Sequence, residues 1–286
     1  MITHPNVKLN LGLRVVGRRE DGYHDIETVF YPYDGFSDTL EIITGDDYSR
    51  TLSSLLDRYG PEERVQGMAG DGSVMITIAR KGGVDWNPLQ DLTVKAVQLL
   101  SREFKLPPLK IFLEKTSPVG AGLGGGSADG AFALRMVNEL CSLGLDGAAL
   151  AERAATLGSD CAFFIYNRPM LGTGRGEILT PIDVDLSGYR VSVVVPEGIA
   201  VSTAQAYAGL APLLAARAGT PAASPAAVVT RPVPEWRGLL HNDFETSVFA
   251  LHPALGDIKC ALYADGALYA AMSGSGSSLF AIYPGE

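Results

Sequence analysis

The chain has 286 residues, 47% hydrophobic and 19% charged, a globular balance that excludes wholesale disorder and leaves room for one large domain or two small ones. Its 33 glycines follow no G-x-y period, which excludes a collagen-like rod. With 23 Lys and Arg against 32 Asp and Glu, the net charge of −9 makes nucleic acid and anionic membrane poor generic partners, so an anionic ligand needs local donors such as backbone N–H groups.

In chain order, Val7, Leu9, Leu11, Leu13 and Val15 alternate with a period of two and predict a first strand. Lys8 shares the opposite face with Asn6 and Asn10, and reads either as a solvent-facing strand residue or as a site cation. A turn-rich GRREDGYH follows at residues 17–24, then β-like runs at 26–33 and 39–44. Residues 47–72 are polar and glycine-bearing, with a short helix over 48–59. A strand is expected at 74–79 and a helix over 91–104, through Leu92, Ala96, Leu99 and Leu100; 109–113 is strand-like. From Ser127 a helix presents Ala131, Leu134, Val137 and Leu140 on one face, and a second over 148–157 stops at Gly158.

The pattern restarts after residue 166. A buried-type strand is expected at 191–195, an Ala- and Pro-rich surface excursion at 211–234, and helices at 243–251 and 253–263. The β-like run 267–272, a glycine turn at 273–278 and a strand at 279–283 complete it. Strands and helices mix without strict βαβ alternation, which predicts α+β with mainly antiparallel sheets, in two lobes parted near residue 165.

The chemical signal is strongest at PVGAGLGGGSADGA, where five glycines fall within seven residues between a strand and a helix. Glycines let several N–H groups converge, and the following helix adds its positive end, so a phosphate or other anion is the expected ligand. No GK[ST] follows, which excludes a P-loop. Gly120-x-Gly122-x-x-Gly125 matches the dinucleotide fingerprint formally, but the acidic positions about 20 residues on, Glu139 and Asp146, lie in or after a helix, and the strand context is missing. The turn at 273–277 is either a plain hairpin or a second element closing on the same phosphates.

Asp160 follows a helix stop and borders the apolar run 161–165, reading as helix cap or site acid. Tyr23 and His24 adjoin in a turn, where the pair suits stacking on a ring and bonding its edge. Cys141, Cys161 and Cys260 are odd in number and widely spaced, which favours free thiols in a reducing cytoplasm. No apolar run approaches 18 residues and no signal-peptide pattern opens the chain, so a membrane span and a secretory leader are not expected.

The order of KLNLGLRVVGRREDGYHDIETVF (8–30), SPVGAGLGGGSADGA (117–131), LGSDCAFF (157–164) and MSGSGSSLFAIY (272–283) resembles the GHMP kinase superfamily. The GRR-x-DGYH element is more specific and resembles the branch acting on a cytidyl-diphosphate methylerythritol in non-mevalonate isoprenoid precursor synthesis. The likeness runs from about residue 5 to 283, weaker over 45–90 and 210–240. It implies a two-lobed α+β fold, with a ribosomal-S5-domain-2-like N-terminal lobe (1–165) carrying the ATP glycine loop and an α/β-plait-like C-terminal lobe (166–286).

The resemblance further implies transfer of the γ-phosphoryl of ATP to the tertiary 2-hydroxyl of that small-molecule substrate, with Mg²⁺. Catalytic Lys and Asp fall on Lys8 and Asp160, cytosine recognition on Tyr23 and His24, and a substrate contact on Asn10. The ATP loop covers Pro118, Val119, Gly120, Ala121, Gly122, Leu123, Gly124, Gly125, Gly126, Ser127 and Ala128, with Ser127 contacting the metal. Asp91 and Lys115 match positions near the adenosine. A cytoplasmic monomer or weak homodimer with no nucleic-acid or membrane partner is implied as well. The chain departs from the pattern at Ala128, where a second Ser is usual, at Cys161-Ala162, where Val-Pro is usual, at Asp91, where Asn is common, and in a longer 46–72 segment. Alternatives are another GHMP kinase acting on homoserine or mevalonate, and a non-catalytic nucleotide-binding protein of the same fold, expected to have lost Lys8 or Asp160; a dinucleotide oxidoreductase lacks its βαβ context.

Overall fold

The computed structural model describes residues 1–210 and 223–285. It is α+β, and its chain forms two compact units that interleave: Met1–Val7, Phe36–Pro118 and Gly124–Asn167 in one, Lys8–Gly35, Val119–Leu123 and Arg168–Glu286 in the other. The second unit thus combines an early segment with the C-terminal part of the chain, whereas the expected lobes divide it once, at residue 165. No helix among the described residues is long and apolar enough to cross a membrane.

The first unit is built on a five-stranded sheet in the order β1 (Ile2–Thr3), β4 (Thr39–Thr44), β7 (Leu109–Lys115), β6 (Val74–Arg80), β5 (Arg64–Met68). Only the β6–β7 pair is parallel, and the helix α2 (Leu92–Ser101) lies in its crossover. Pairing register puts Leu40, Ile42, Ile76, Ile78, Ile111 and Leu113 on one face, all fully buried, as period-two alternation requires. On the other face Ile43, Ala79 and Phe112 pack against Leu55 of α1 (Leu52–Arg58) and Tyr59. The edge strand β5 was not anticipated, because RVQGM is too polar and too short to show alternation. Three helices follow: α3 (Gly125–Leu140), α4 (Gly147–Leu157) and α5 (Cys161–Tyr166).

The second unit holds a four-stranded sheet, β2 (Asn6–Arg18), β3 (His24–Ser37), β8 (Met170–Thr173), β9 (Ile178–Pro181), and a three-stranded antiparallel sheet, β10 (Tyr189–Val194), β12 (Leu279–Pro284), β11 (Tyr269–Met272). Its helices are α6 (Thr203–Ala208), α7 (Pro225–Val229), α8 (Phe244–Leu251) and α9 (Pro253–Ala264). Leu13, Val15, Ile26, Phe244, Val248, Leu255 and Leu279 share one core.

Two readings need correction. The first half of strand β2 is buried on both faces, against the solvent-facing alternative for Lys8, since Asn6, Lys8 and Asn10 are nearly as buried as the apolar residues between them; further along, Val16 is exposed. The stretch 211–234 is not simply a surface excursion: residues 211–222 lie outside the described residues, but Val228, Val229 and Val233 are buried, and the adjoining Trp236 meets Tyr269 edge-on at 5.6 Å. Short apolar runs between prolines hide their burial from any periodicity test.

Candidate active site

Lys8 lies on β2 in the second unit and is only 3% exposed. Its Nζ donates to Asn10 Oδ1 at 2.5 Å and to the Gly122 carbonyl at 3.1 Å, and stands 5.5 Å from the centre of the Phe30 ring. Asn10 in turn donates from Nδ2 to Thr28 Oγ1 at 3.0 Å, and Thr28 donates to the Gly12 carbonyl. The side chain of Asn10 therefore orients the ammonium. Asn10 Oδ1, the Gly122 carbonyl and the face of Phe30 make this buried position tolerable for an ammonium.

The two glycine turns meet within this unit. A Cβ on Gly122 would come within 2.3 Å of the Ser273 carbonyl and 2.9 Å of the Gly276 carbonyl, so the backbones touch where only glycine fits. Ser278 N donates to Ala121 O, Lys8 N to Leu123 O, and Ser273 Oγ to Gly122 O. Residues 273–277 close the antiparallel β11–β12 pair and also pack on the first loop.

Gly120, Gly122 and Gly124 all have positive φ, and Gly124, left-handed at φ 74°, is the N-cap of α3. No side chain caps this helix, and its first main-chain bond is Ala128 N to Gly124 O. The amides of residues 125–127 therefore lack intrahelical acceptors and carry the positive end of a 16-residue helix. A Cβ on Gly126 would meet nothing within 4 Å, so space lies open beside them. Ala128 points inward and is fully buried. This cradle suits the phosphates of ATP, and the Ser127 hydroxyl on its first turn suits one position of a Mg²⁺ ion that otherwise keeps phosphate and water ligands.

Asp160 occupies the N-cap position of α5 but makes no capping hydrogen bond with its side chain. The cap reading is therefore not the one its geometry favours. Beside it, the buried Cys161 thiol is pushed up to about 12, chiefly by burial, although a hydrogen bond with Ser127 works the other way.

Asp91 caps α2, accepting from Thr93 N at 2.9 Å, Thr93 Oγ1 at 2.7 Å and Trp86 Nε1 at 3.1 Å. Lys115 is buried, and Asp38, Asp129 and Ser117 take its ammonium. Burial would lower its pKa, but the two carboxylates outweigh this and push it up to about 12. Asp129, almost wholly buried, is held well above the usual carboxylate range, desolvation outweighing its bond to Lys115.

Tyr23 is exposed, with the Arg175 guanidinium 5.1 Å from its ring centre. His24 stacks on Tyr207, rings 4.6 Å apart and 17° from parallel, and Tyr207 meets Phe244 edge-on. Burial, and then Arg18, lower the His24 pKa, which favours the neutral ring with one donor and one acceptor. Sequence reasoning missed Tyr207 as a neighbour of His24, and no local pattern marks it. It also missed Asp38; Asp129 was legible only as a member of the loop motif.

Comparison with known proteins places these features in context. Residues 91–168 match the GHMP kinases N terminal domain, and residues 227–286 match the GHMP kinases C terminal domain. The chain is 44% identical over 286 residues to a 4-diphosphocytidyl-2-C-methyl-D-erythritol kinase of Bacteroides thetaiotaomicron, covering 100% of this chain and 93% of that protein. It is 44% identical over 284 residues to the kinase of the same name from Porphyromonas gingivalis, covering 99% and 92%. Among solved structures, a 4-(cytidine 5'-diphospho)-2C-methyl-D-erythritol kinase aligns with a TM-score of 0.73 at 28% identity, covering 100% of this chain and 91% of its own.

Proposed function

Since the chain belongs to the 4-diphosphocytidyl-2-C-methyl-D-erythritol kinases of the GHMP kinase family, we propose a site assignment for the reaction that membership gives it, phosphorylation of that substrate's 2-hydroxyl in non-mevalonate isoprenoid precursor synthesis. ATP·Mg²⁺, when bound, supplies the γ-phosphoryl group and divalent charge. The amides of residues 120–127 hold the phosphates, and the Ser127 hydroxyl takes a metal position. Asp160 would accept the proton of the attacking 2-hydroxyl as its oxygen bonds to the γ-phosphorus and the bond from that phosphorus to ADP breaks, with Lys8 stabilising the charge that develops on the moving group. Neutral His24 pairs with the edge of the cytosine, while Tyr23 and Tyr207 offer ring faces to it. Asn10 serves the substrate through its hold on Lys8.

One observation carries the phosphate assignment: α3 begins at left-handed Gly124 without a side-chain cap, beside open space at Gly126. Gly126→Ala is therefore expected to leave the fold intact, even gaining up to about 1 kcal/mol of helix propensity. The added methyl group intrudes where phosphate would lie, so ATP affinity should fall by about ten-fold or more, roughly 1.4 kcal/mol. Calorimetric titration with ATP analogue and a thermal melt check both halves, and unchanged affinity would remove the loop from the phosphate site.

The aromatic assignment makes a second expectation. Stacking a base on an aromatic ring contributes about 1–3 kcal/mol, so Tyr207→Ala should raise KM for the cytidyl substrate about ten-fold and spare that for ATP. Equal loss for both substrates would disprove it. The activity itself is tested by ADP release with the cytidyl-methylerythritol compound, with homoserine and mevalonate alongside. Stimulation by the first alone is expected; stimulation by either alcohol would move the chain to another branch of the family.

A further inference from the structure

In the first unit, both arms of the glycine loop end on one buried cluster. Residues 115–117 lead into the loop, and Asp38 pins them: its Oδ1 accepts from Thr116 N and Ser117 N at 2.7 Å each, and its Oδ2 from Ser117 Oγ at 2.6 Å and Lys115 Nζ at 2.5 Å. On the far arm, Asp129 stands on α3 four residues after Gly125, hence on the same helical face. Its Oδ2 accepts from Lys115 Nζ at 2.7 Å. A Cβ on Gly125 would come within 2.5 Å of Ser117 Oγ and 3.4 Å of Lys115 Nζ, so the helix start rests directly on the cluster.

Asp129 is 1% exposed, and its Oδ1 has no hydrogen-bond partner among the described residues. The cation beside it, Lys115, is shared with Asp38. A carboxylate desolvated this far and satisfied on one side is a poor source of stability, since desolvation can exceed what the ion pair returns. What the arrangement does achieve is geometric: it ties the strand entering the loop to the helix leaving it.

We propose that Asp129 is a positioning residue for the ATP phosphates, fixing the first-turn amides of residues 125–127 through Lys115 and Ser117. The inference rests on the reading of the loop as the phosphate site. It also gives Lys115 a different part from the adenosine contact implied by resemblance, because its three N–H donors are directed at Asp38, Asp129 and Ser117.

The test is steady-state kinetics of the full chain, each substrate varied at saturation of the other, with melts to confirm folding. Asp129→Ala should raise KM for ATP by about ten-fold, leaving KM for the cytidyl compound within about two-fold and lowering kcat only a few-fold. Asp129→Asn keeps an acceptor for Lys115 and should recover most of the loss. A wild-type ATP KM in the Ala variant, an equal rise in both KM values, or an Asn variant as impaired as Ala would overturn the proposal. If Asp129→Ala does not fold, Ser117→Ala reads the linkage from the other arm: the same selective rise is expected, and an unchanged ATP KM overturns it. Gly126→Ala separates the two levels. If it leaves ATP KM unchanged, the phosphate reading fails and this inference with it; if it raises ATP KM while Asp129→Ala does not, only the positioning role fails.

Discussion

Asp160→Asn is expected to lower turnover by about a thousand-fold, within the range that a positioned proton acceptor contributes, while ATP affinity stays within about two-fold. The substitution is nearly isosteric and removes the basicity needed to take the hydroxyl proton. Its stability cost should be small, because the side chain makes no cap to α5 that Asn would have to replace. Single-turnover measurement of phosphoryl transfer, with ATP analogue binding and a thermal melt in parallel, distinguishes chemistry from folding. A variant keeping most of its turnover would show that Asp160 is not the acceptor.

The second large effect is expected from Lys8→Met. Methionine keeps an apolar stem of nearly the same length and deletes the ammonium, its charge and its donors together, so the loss reports the polar head rather than packing. Removing one preorganised charge-stabilising donor typically costs about a hundred- to a thousand-fold in kcat, and that range is expected here. Stability responds through two opposed terms. Asn10 Oδ1 and the Gly122 carbonyl each lose a donor, at about 1–3 kcal/mol where a buried group is left unpaired, but Ser273 Oγ still donates to Gly122, and the desolvation of an ammonium is relieved. A Tm within several degrees of the wild type should therefore accompany near-complete loss of turnover. Turnover retained at a tenth or more would exclude Lys8 from charge stabilisation.

How much of this was written locally in the chain differs between the parts. The helices at 92–101, 125–140, 147–157 and 253–264 carry apolar periodicity and were legible within a few residues. The glycine loop was legible because five glycines in seven residues serve few other purposes. Burial of Lys8 was not, because strand alternation assigns a face but not what covers it. Of the partners that make the ammonium tolerable, Asn10 is local, but Gly122 lies more than a hundred residues away and is itself held by Ser273 from a turn further still. Strands β8 and β9 have four residues each, too few for any alternation to register. Asp38 lies between two strands with no local pattern to mark it; only the fold shows its carboxylate holding the entry to the loop.

The interleaving of the second unit bears on how the chain is made. Strand β12, the latest of the described strands to leave the ribosome, lies in the middle of its sheet, between β10 and β11. The turn just before it reaches back to Ala121, and residues 241–243 pair with Leu13. During synthesis, Leu13, Val15 and Ile26 of strands β2 and β3 must wait for Phe244 and Leu279, more than two hundred residues downstream, with that apolar face uncovered for about ten seconds or longer at ordinary elongation rates, although β3 meets its sheet partner β8 earlier. Such contacts close slowly as well, since distant segments must find each other before any burial rewards them. The first unit's sheet and helices, by contrast, are complete once residue 167 has emerged. The early strands of the second unit are thus where a chaperone would have most to shield, and where a stalled or truncated chain would be most prone to aggregate.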